Sequence, residues 1–393
     1  MDPLSTLLHL PASEKLELGV LHTPQEISQQ PGTWRRTFEL LQSRRNQTEA
    51  FLAAAGIGEE VSRRPVVFLV GAGSSDYIGR SLFHLLRRLW QCEVVPVAST
   101  SLLTDFSDYV LPDRRYLWIS FSRSGNSPEG IAVLERALEE CPNVGHMLVS
   151  CNGSGGMMKA IEGRPGCHAI VLDEETDDRG LAMTSSFTNM LLTGQFLGHA
   201  ANAAEYAPIV GALAAAAESM LPQAATLAAD LANEGYARVC FLGSGGIAGA
   251  AMECALKVLE LTAGRVQSMS QATLALRHGP MAALDPNTLV IAFLSSQVAR
   301  RNYEIDLLRE IGSKGLVRTR VVVATDPHAL NREAEHVLAP ATAAAIPDAY
   351  RPALDVIFGQ LLGLFASIHA GLKPDVPSPN GAISRVVPEL SIY

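Results

Sequence analysis

The sequence predicts an α/β protein made of two copies of one parallel-sheet unit, and three observations carry that prediction. Short continuous apolar runs alternate with helical segments, the pattern of a parallel sheet covered by helices. The pattern restarts: the glycine turn at Gly71 has a counterpart at Gly243, 172 residues further on. The length of 393 residues leaves room for two such units.

The elements follow in chain order. Residues 1–64 read as helical, with apolar residues at helical spacing over 33–55. Residues 66–70, bounded by Pro65 and Gly71, form an unbroken apolar run, which marks a strand buried on both faces. A helix over 78–90 comes next, then further strand candidates at 94–97, 116–120, 146–150 and 169–172, with a helix over 128–140 among them. The second copy begins with the run 239–242 and continues with runs at 289–294 and 321–324. Shifting Ser122, Arg123 and Ser124 by 172 residues lands on Leu294, Ser295 and Ser296, again just behind an apolar run. An Ala-rich helical segment, 200–233, joins the copies, and a helix over 353–370 precedes a Pro-rich tail, 373–393, suited to wrapping a surface.

Composition narrows the function. The chain is 48% hydrophobic and 18% charged, which excludes disordered and fibrous architectures. Its net charge is −9 and no basic cluster is present, so a nucleic-acid partner is not expected. No apolar stretch reaches the roughly 18 uncharged residues of a membrane span. Residues 1–18 carry Asp2, Glu14, Lys15 and Glu17 and do not read as a secretory signal. The six cysteines form no paired or metal-ligand spacing, which reads as reduced thiols and a cytoplasmic setting.

Two strand ends deserve chemical readings. In residues 120–129, Ser127 suits a helix N-cap and Pro128 the first helical position, behind Ser122, Arg123 and Ser124. Hydroxyls and unpaired amides at a helix start, at the carboxyl end of a strand, favour an anion such as a phosphate. The alternative is a plain strand–turn–helix connection with a serine cap. Gly243, Gly245 and Ala248 match the dinucleotide-binding glycine pattern, but 266–269 offers no acid for a ribose, and the first copy breaks the pattern. A nicotinamide cofactor is therefore not expected.

Glu253, Lys257 and Glu260 lie at i, i+4 and i+7, on one face of a helix over 247–261 that is otherwise apolar or small. The ordinary reading is an exposed ion pair. On a buried helix such charges are paired or functional. His278 precedes Gly279 and Pro280, a rigid turn that fixes its direction. A carboxylate and a histidine near a phosphate site are the parts for proton transfer beside a carbonyl.

These residues resemble the sugar isomerase (SIS) family. Ser122 to Ser127 resembles its Ser-rich phosphate loop, and Glu253, Lys257 and Glu260 followed by His278, Gly279 and Pro280 resemble the isomerase half of glucosamine-6-phosphate synthase. The sequence from Ser122 to Glu129, the pair Cys151 and Asn152, and the tail from Asn380 to Val387 are similar to the AgaS-type branch, galactosamine-6-phosphate deaminase/isomerases. The resemblance covers residues 40–393. It implies two tandem SIS domains, each flavodoxin-like with a five-stranded parallel sheet in three αβα layers. The division it suggests is a helical extension at 1–50, domains at 51–205 and 235–345, a helical linker at 206–234, and a C-terminal helix and tail at 346–393.

The resemblance also implies roles. Ser75, Ser122, Arg123, Ser124 and Ser127 would hold the sugar phosphate and Thr184 would line the sugar. Glu260 would shuttle the proton. His278, supplied by a neighbouring subunit in this family, would open the ring. Glu253 and Lys257 would support the site, and Arg385 stands roughly where the synthase tail has a Schiff-base lysine. Arginine stays protonated and cannot form that imine. Asn126 replaces an acid of the synthase loop, and the glutaminase half is absent. These departures point to deamination: galactosamine 6-phosphate to tagatose 6-phosphate and ammonia, with no metal or redox cofactor, in a homodimer or dimer of dimers. The other readings are a glucosamine-6-phosphate or fructosamine-phosphate deaminase, a plain aldose–ketose isomerase, and a sugar-phosphate sensor without turnover.

Overall fold

The computed structural model describes residues 1–393 except 142, 327–332 and 388–389, so Pro388 of the tail lies outside the described residues. Among the described residues, ten strands form two five-stranded sheets. The first holds β1 (Val66–Gly71), β2 (Val94–Ala98), β3 (Tyr116–Ser122), β4 (Val144–Ser150) and β5 (Cys167–Val171) in the order β2-β1-β3-β4-β5. The second holds β6 (Arg238–Gly243), β7 (Gln267–Ala272), β8 (Thr288–Phe293), β9 (Thr319–Val323) and β10 (His336–Leu338) in the order β10-β9-β8-β6-β7. Every pairing is parallel. Counted from the first strand of each sheet, both read 2-1-3-4-5, the flavodoxin-like order. The register also agrees: Val70 faces Ser120, and 172 residues on Leu242 faces Ala292.

The chain divides into two compact units. One comprises Thr33–Asp178, Ser185–Pro208 and Ile383–Tyr393 and contains the first sheet. The other comprises Met1–Gly32, Arg179–Thr184 and Ile209–Ala382 and contains the second. Within the latter, the N-terminal segment is tied down by the Asp375 carboxylate, which accepts from the amides of Leu21 (2.7 Å) and Thr23 (2.8 Å). In the first-sheet unit, the Trp34 indole donates to Thr188 at 2.9 Å.

Tight turns set the strand ends in both units. A Cβ on Gly71 would lie 2.4 Å from the Ser75 backbone, and one on Gly243 would lie 2.7 Å from the Ile247 carbonyl oxygen. Only glycine lets each following helix start so close to its strand. The second-sheet unit is centred on helix Ile247–Leu261 packed against helix Pro352–His369. The contact is close because a side chain at Gly359 would sit 2.4 Å from the Cys254 sulfur. Helix Pro352–His369 is long and apolar enough to cross a membrane by length and composition, a property the sequence reading did not assign to any stretch. Of its residues 89% are buried inside the protein, and its Asp355 is paired with Arg351 at 3.1 Å.

One buried group carries a pH signature. His146 on β4 stands opposite Trp118 on β3, edge to face at 5.6 Å, and neither ring nitrogen has a hydrogen-bond partner among the described residues. Burial pushes its pKa down to about 4 from 6.5. The folded state thus holds the neutral ring, and the unfolded chain takes up a proton first as pH falls. The stability tied to this neutrality is full above pH 6.5 and drains away as pH falls towards 4, a loss of about 3 kcal/mol. His146→Leu is expected to abolish that part of the acid limb when urea midpoints are compared at pH 7 and near pH 4. An unchanged acid limb in the variant would contradict it.

Candidate active site

The first-sheet unit presents a polar loop where β3 ends. The Ser122 hydroxyl oxygen accepts from the Gly125 amide (3.0 Å), that of Ser124 from Asn126 (3.2 Å) and that of Ser127 from Gly130 (3.1 Å). A hydroxyl that accepts in this way still has its hydrogen to donate. Ser127 is the N-cap and Pro128 the first residue of helix Pro128–Glu140, so the loop also carries the positive end of a helix dipole.

Neighbouring segments fix the loop's shape. Gly125 takes a left-handed φ of 64°, and its carbonyl accepts from the Met157 amide at 2.9 Å. The Asn126 side-chain oxygen accepts from the Gly156 amide (2.8 Å), and the Asn152 side chain donates through Nδ2 to the Ser124 carbonyl (2.9 Å). Asn126 thus braces this loop without adding negative charge. Ser75 sits at the start of helix Ser74–Trp90, buried, its amide bonded to the Ala72 carbonyl at 3.1 Å. The Cys151 thiol is buried, and burial pushes its pKa up to about 12, so it is inert as a nucleophile at neutral pH.

Arg123 and Arg385 meet in this unit. The buried Arg123 guanidinium donates to the Arg385 carbonyl at 2.6 Å. Arg385 in turn donates through Nε to the Asp178 carbonyl (2.7 Å) and through Nη2 to the Asp177 carboxylate (2.5 Å). Burial draws the Arg123 pKa down, against the pull of Asp178. The Asp178 carboxylate accepts from the amides of Ser185 (3.0 Å) and Ser186 (2.9 Å), at the start of helix Ser185–Leu197. The two aspartates were not singled out in the sequence; their acidic run at 173–178 was the available signal.

The second-sheet unit holds the charged helix face. Lys257 and Glu253 are almost wholly buried, and the Glu260 side chain is 23% exposed. Lys257 Nζ lies 3.3 Å from Glu253 Oε1 and 2.6 Å from Glu260 Oε2. Burial works to lower the Lys257 pKa, but the two carboxylates outweigh it and hold the pKa above its ordinary 10.5. Lys257 is therefore a fixed ammonium. It can orient Glu260 through their 2.6 Å contact, but it cannot serve as an amine nucleophile near neutral pH.

Thr184 is fully buried in this unit, its carbonyl accepting from the Gln360 side chain at 3.5 Å. His278 follows the 3-10 turn Thr273–Arg277, is exposed, and its backbone amide donates to the Ala275 carbonyl at 3.0 Å. Gly279, with φ 121°, turns the chain directly behind it. The structure thus gathers Ser122, Arg123, Ser124, Ser127 and Arg385 in one unit and Glu253, Lys257 and Glu260 in the other, while Ser75, Thr184 and His278 stand on their own elements.

The doubly wound sheets, the serine loop and the buried carboxylate–ammonium helix define a phosphosugar-type SIS fold. No model of a protein family matches the chain. A curated D-galactosamine-6-phosphate deaminase AgaS from Escherichia coli is 32% identical over 378 residues, covering 94% of this chain and 95% of its own. A solved tagatose-6-phosphate ketose/aldose isomerase from Escherichia coli is 31% identical with a TM-score of 0.84, over 92% of this chain and 95% of that one. A solved Clostridium novyi structure has a TM-score of 0.91 at 28% identity, over 96% of each chain. The chain belongs to the AgaS family of SIS proteins.

The ion-pair geometry yields a stability test. Lys257→Met leaves the Glu253 carboxylate buried without its cation and is expected to cost about 3–5 kcal/mol in urea unfolding. Adding Glu253→Gln should recover much of that loss. A double variant as unstable as the single one would show that the ion pair is not what Lys257 contributes.

Proposed function

We propose that the chain is an amino-sugar-phosphate deaminase that converts galactosamine 6-phosphate to tagatose 6-phosphate and ammonia. The observation that carries this reading is Glu260: a partly exposed carboxylate held 2.6 Å from a buried ammonium, poised to move a proton without forming a covalent bond. The family name of the curated relatives supports the substrate class.

In the proposed course, residues 122–127 with Ser75 hold the phosphate and Thr184 lines the sugar. His278 of a neighbouring copy protonates the ring oxygen as the C1 hydroxyl loses its proton, which opens the pyranose to the aldehyde. Glu260 removes the C2 proton and returns it at C1 while one proton of the C2 amine passes to O1, which leaves a C1 alcohol and a C2 imine. Water adds to the imine, and ammonia departs as the C2 ketone forms. Lys257 and Glu253 position Glu260, and Arg385 positions Arg123 beside the loop. The reading makes the chain a homo-oligomer, and it keeps the two-domain division at 51–205 and 235–345.

The test is ammonia release by the purified protein from galactosamine and glucosamine 6-phosphates. Glu260→Gln is expected to lower kcat by about 10²–10⁴-fold with little change in KM. Ser124→Ala is expected to act mainly on KM. Near-normal turnover by Glu260→Gln would remove Glu260 from the mechanism. A second reading, ketose–aldose isomerisation without deamination, is favoured by the similarity to the solved Escherichia coli tagatose-6-phosphate ketose/aldose isomerase, and ketose formation without ammonia would select it.

A further inference from the structure

Both sheets offer the same position for an anion, immediately after their third strand. In the first sheet, no carboxylate among the described residues accepts from the hydroxyls of Ser122, Ser124 or Ser127. In the second sheet the positions of Arg123 and Ser124 are taken by Ser295 and Ser296 behind β8, and both are engaged by acids of their own unit. The Asp348 carboxylate accepts from the Ser295 hydroxyl, and from the Ser296 amide and hydroxyl at 2.8 Å each. Arg300 Nη1 approaches it at 3.4 Å and Arg351 Nη1 at 3.6 Å. The Ser295 amide goes instead to Glu304 Oε2 at 2.7 Å.

Two hydroxyls, an amide and two guanidinium groups around one oxyanion make the donor set expected of a phosphate site. Here the oxyanion is part of the chain. We infer that the loop behind β8 is an oxyanion cradle kept filled by the Asp348 carboxylate, so that each chain takes its phosphate only at residues 122–127. The filled cradle stands on its own geometry; the count of one phosphate rests on the function proposed above.

Asp348 is well placed to win this site over a dissolved anion. It is 6% exposed and is delivered by the segment that leads directly into helix Pro352–His369. Burial alone would raise its pKa, but the bonds from Ser295 and Ser296 and the charge of Arg351 hold it below its ordinary 3.8. It therefore remains an anion across the neutral range. A tethered carboxylate loses little freedom on binding, whereas dissolved phosphate must first be captured.

The inference is tested by titrating the full chain with inorganic phosphate in a calorimeter. Wild type is expected to bind one equivalent, weakened roughly tenfold or more by Ser124→Ala, about 1.4 kcal/mol. Asp348→Ala is expected to gain a second equivalent, which is lost again when Ser296→Ala is added. If Ser124→Ala leaves the wild-type equivalent intact, the reading of residues 122–127 fails while the cradle stands. If Asp348→Ala gains no equivalent, or wild type already binds at Ser296, the cradle inference is overturned. Should Asp348→Ala not fold in oxyanion-free buffer, its refolding yield in phosphate is compared with that in chloride at equal ionic strength. Recovery in phosphate alone is the expected result, and equal yields would overturn the inference.

Discussion

The ammonium of Lys257, buried between Glu253 and Glu260, is the constraint on which the second-sheet unit depends. An isolated ammonium at that depth would lose its proton or expel the helix from the core. The two carboxylates prevent both, and they can do so only because positions four residues before and three after Lys257 share its helix face. The same arrangement requires the neighbouring helix to come close, which Gly359 and Gly363 permit. Packing and charge are thus one problem here: the small residues that admit helix Pro352–His369 also seal the ion pair from water. What emerges is a single partly exposed carboxylate, Glu260, whose position is set by a buried cation.

The two sheets share strand order and register, yet their chemistry has diverged. Behind β3, hydroxyls and a helix start remain available, braced by Asn126 and Asn152. Behind β8, equivalent groups are bonded to Asp348 and Glu304. The polar groups at a strand's carboxyl end must find acceptors or an anion in either case. One copy meets that demand from within the chain, and in the proposed function the other meets it with the substrate's phosphate.

Much of this was legible in the sequence, and the reasons differ by element. Helices Pro128–Glu140 and Ile247–Leu261 run over the residues read for them, because a proline-and-serine start and a glycine turn mark their beginnings locally. The buried parallel strands announce themselves as unbroken apolar runs. Strand β10 does not: with three residues, His336–Leu338, it is too short to make a run. The charged face of Glu253, Lys257 and Glu260 is written in a spacing, so it could be seen before the structure. The partners of Arg385 and of Ser296 could not. Asp177 is 208 residues from Arg385, and Asp348 is 52 from Ser296, and no local pattern links them. Contacts of that kind are made by the fold, and the offset between the copies located only one side of the second.

The protonation state of Lys257 reaches the centre of this account most directly. Nitrogen-detected NMR of the lysine side chains, with Lys257 assigned by its loss in Lys257→Met or, where that variant is too unstable, by its shift in Glu260→Gln, follows Nζ as pH is raised. The account predicts an ammonium throughout the neutral range that titrates above the ordinary lysine value of 10.5, with the Glu260→Gln variant titrating lower than wild type. A neutral amine at pH 7 would contradict it, because Lys257 would then be a candidate nucleophile and Glu260 would lack the cation that holds it in place.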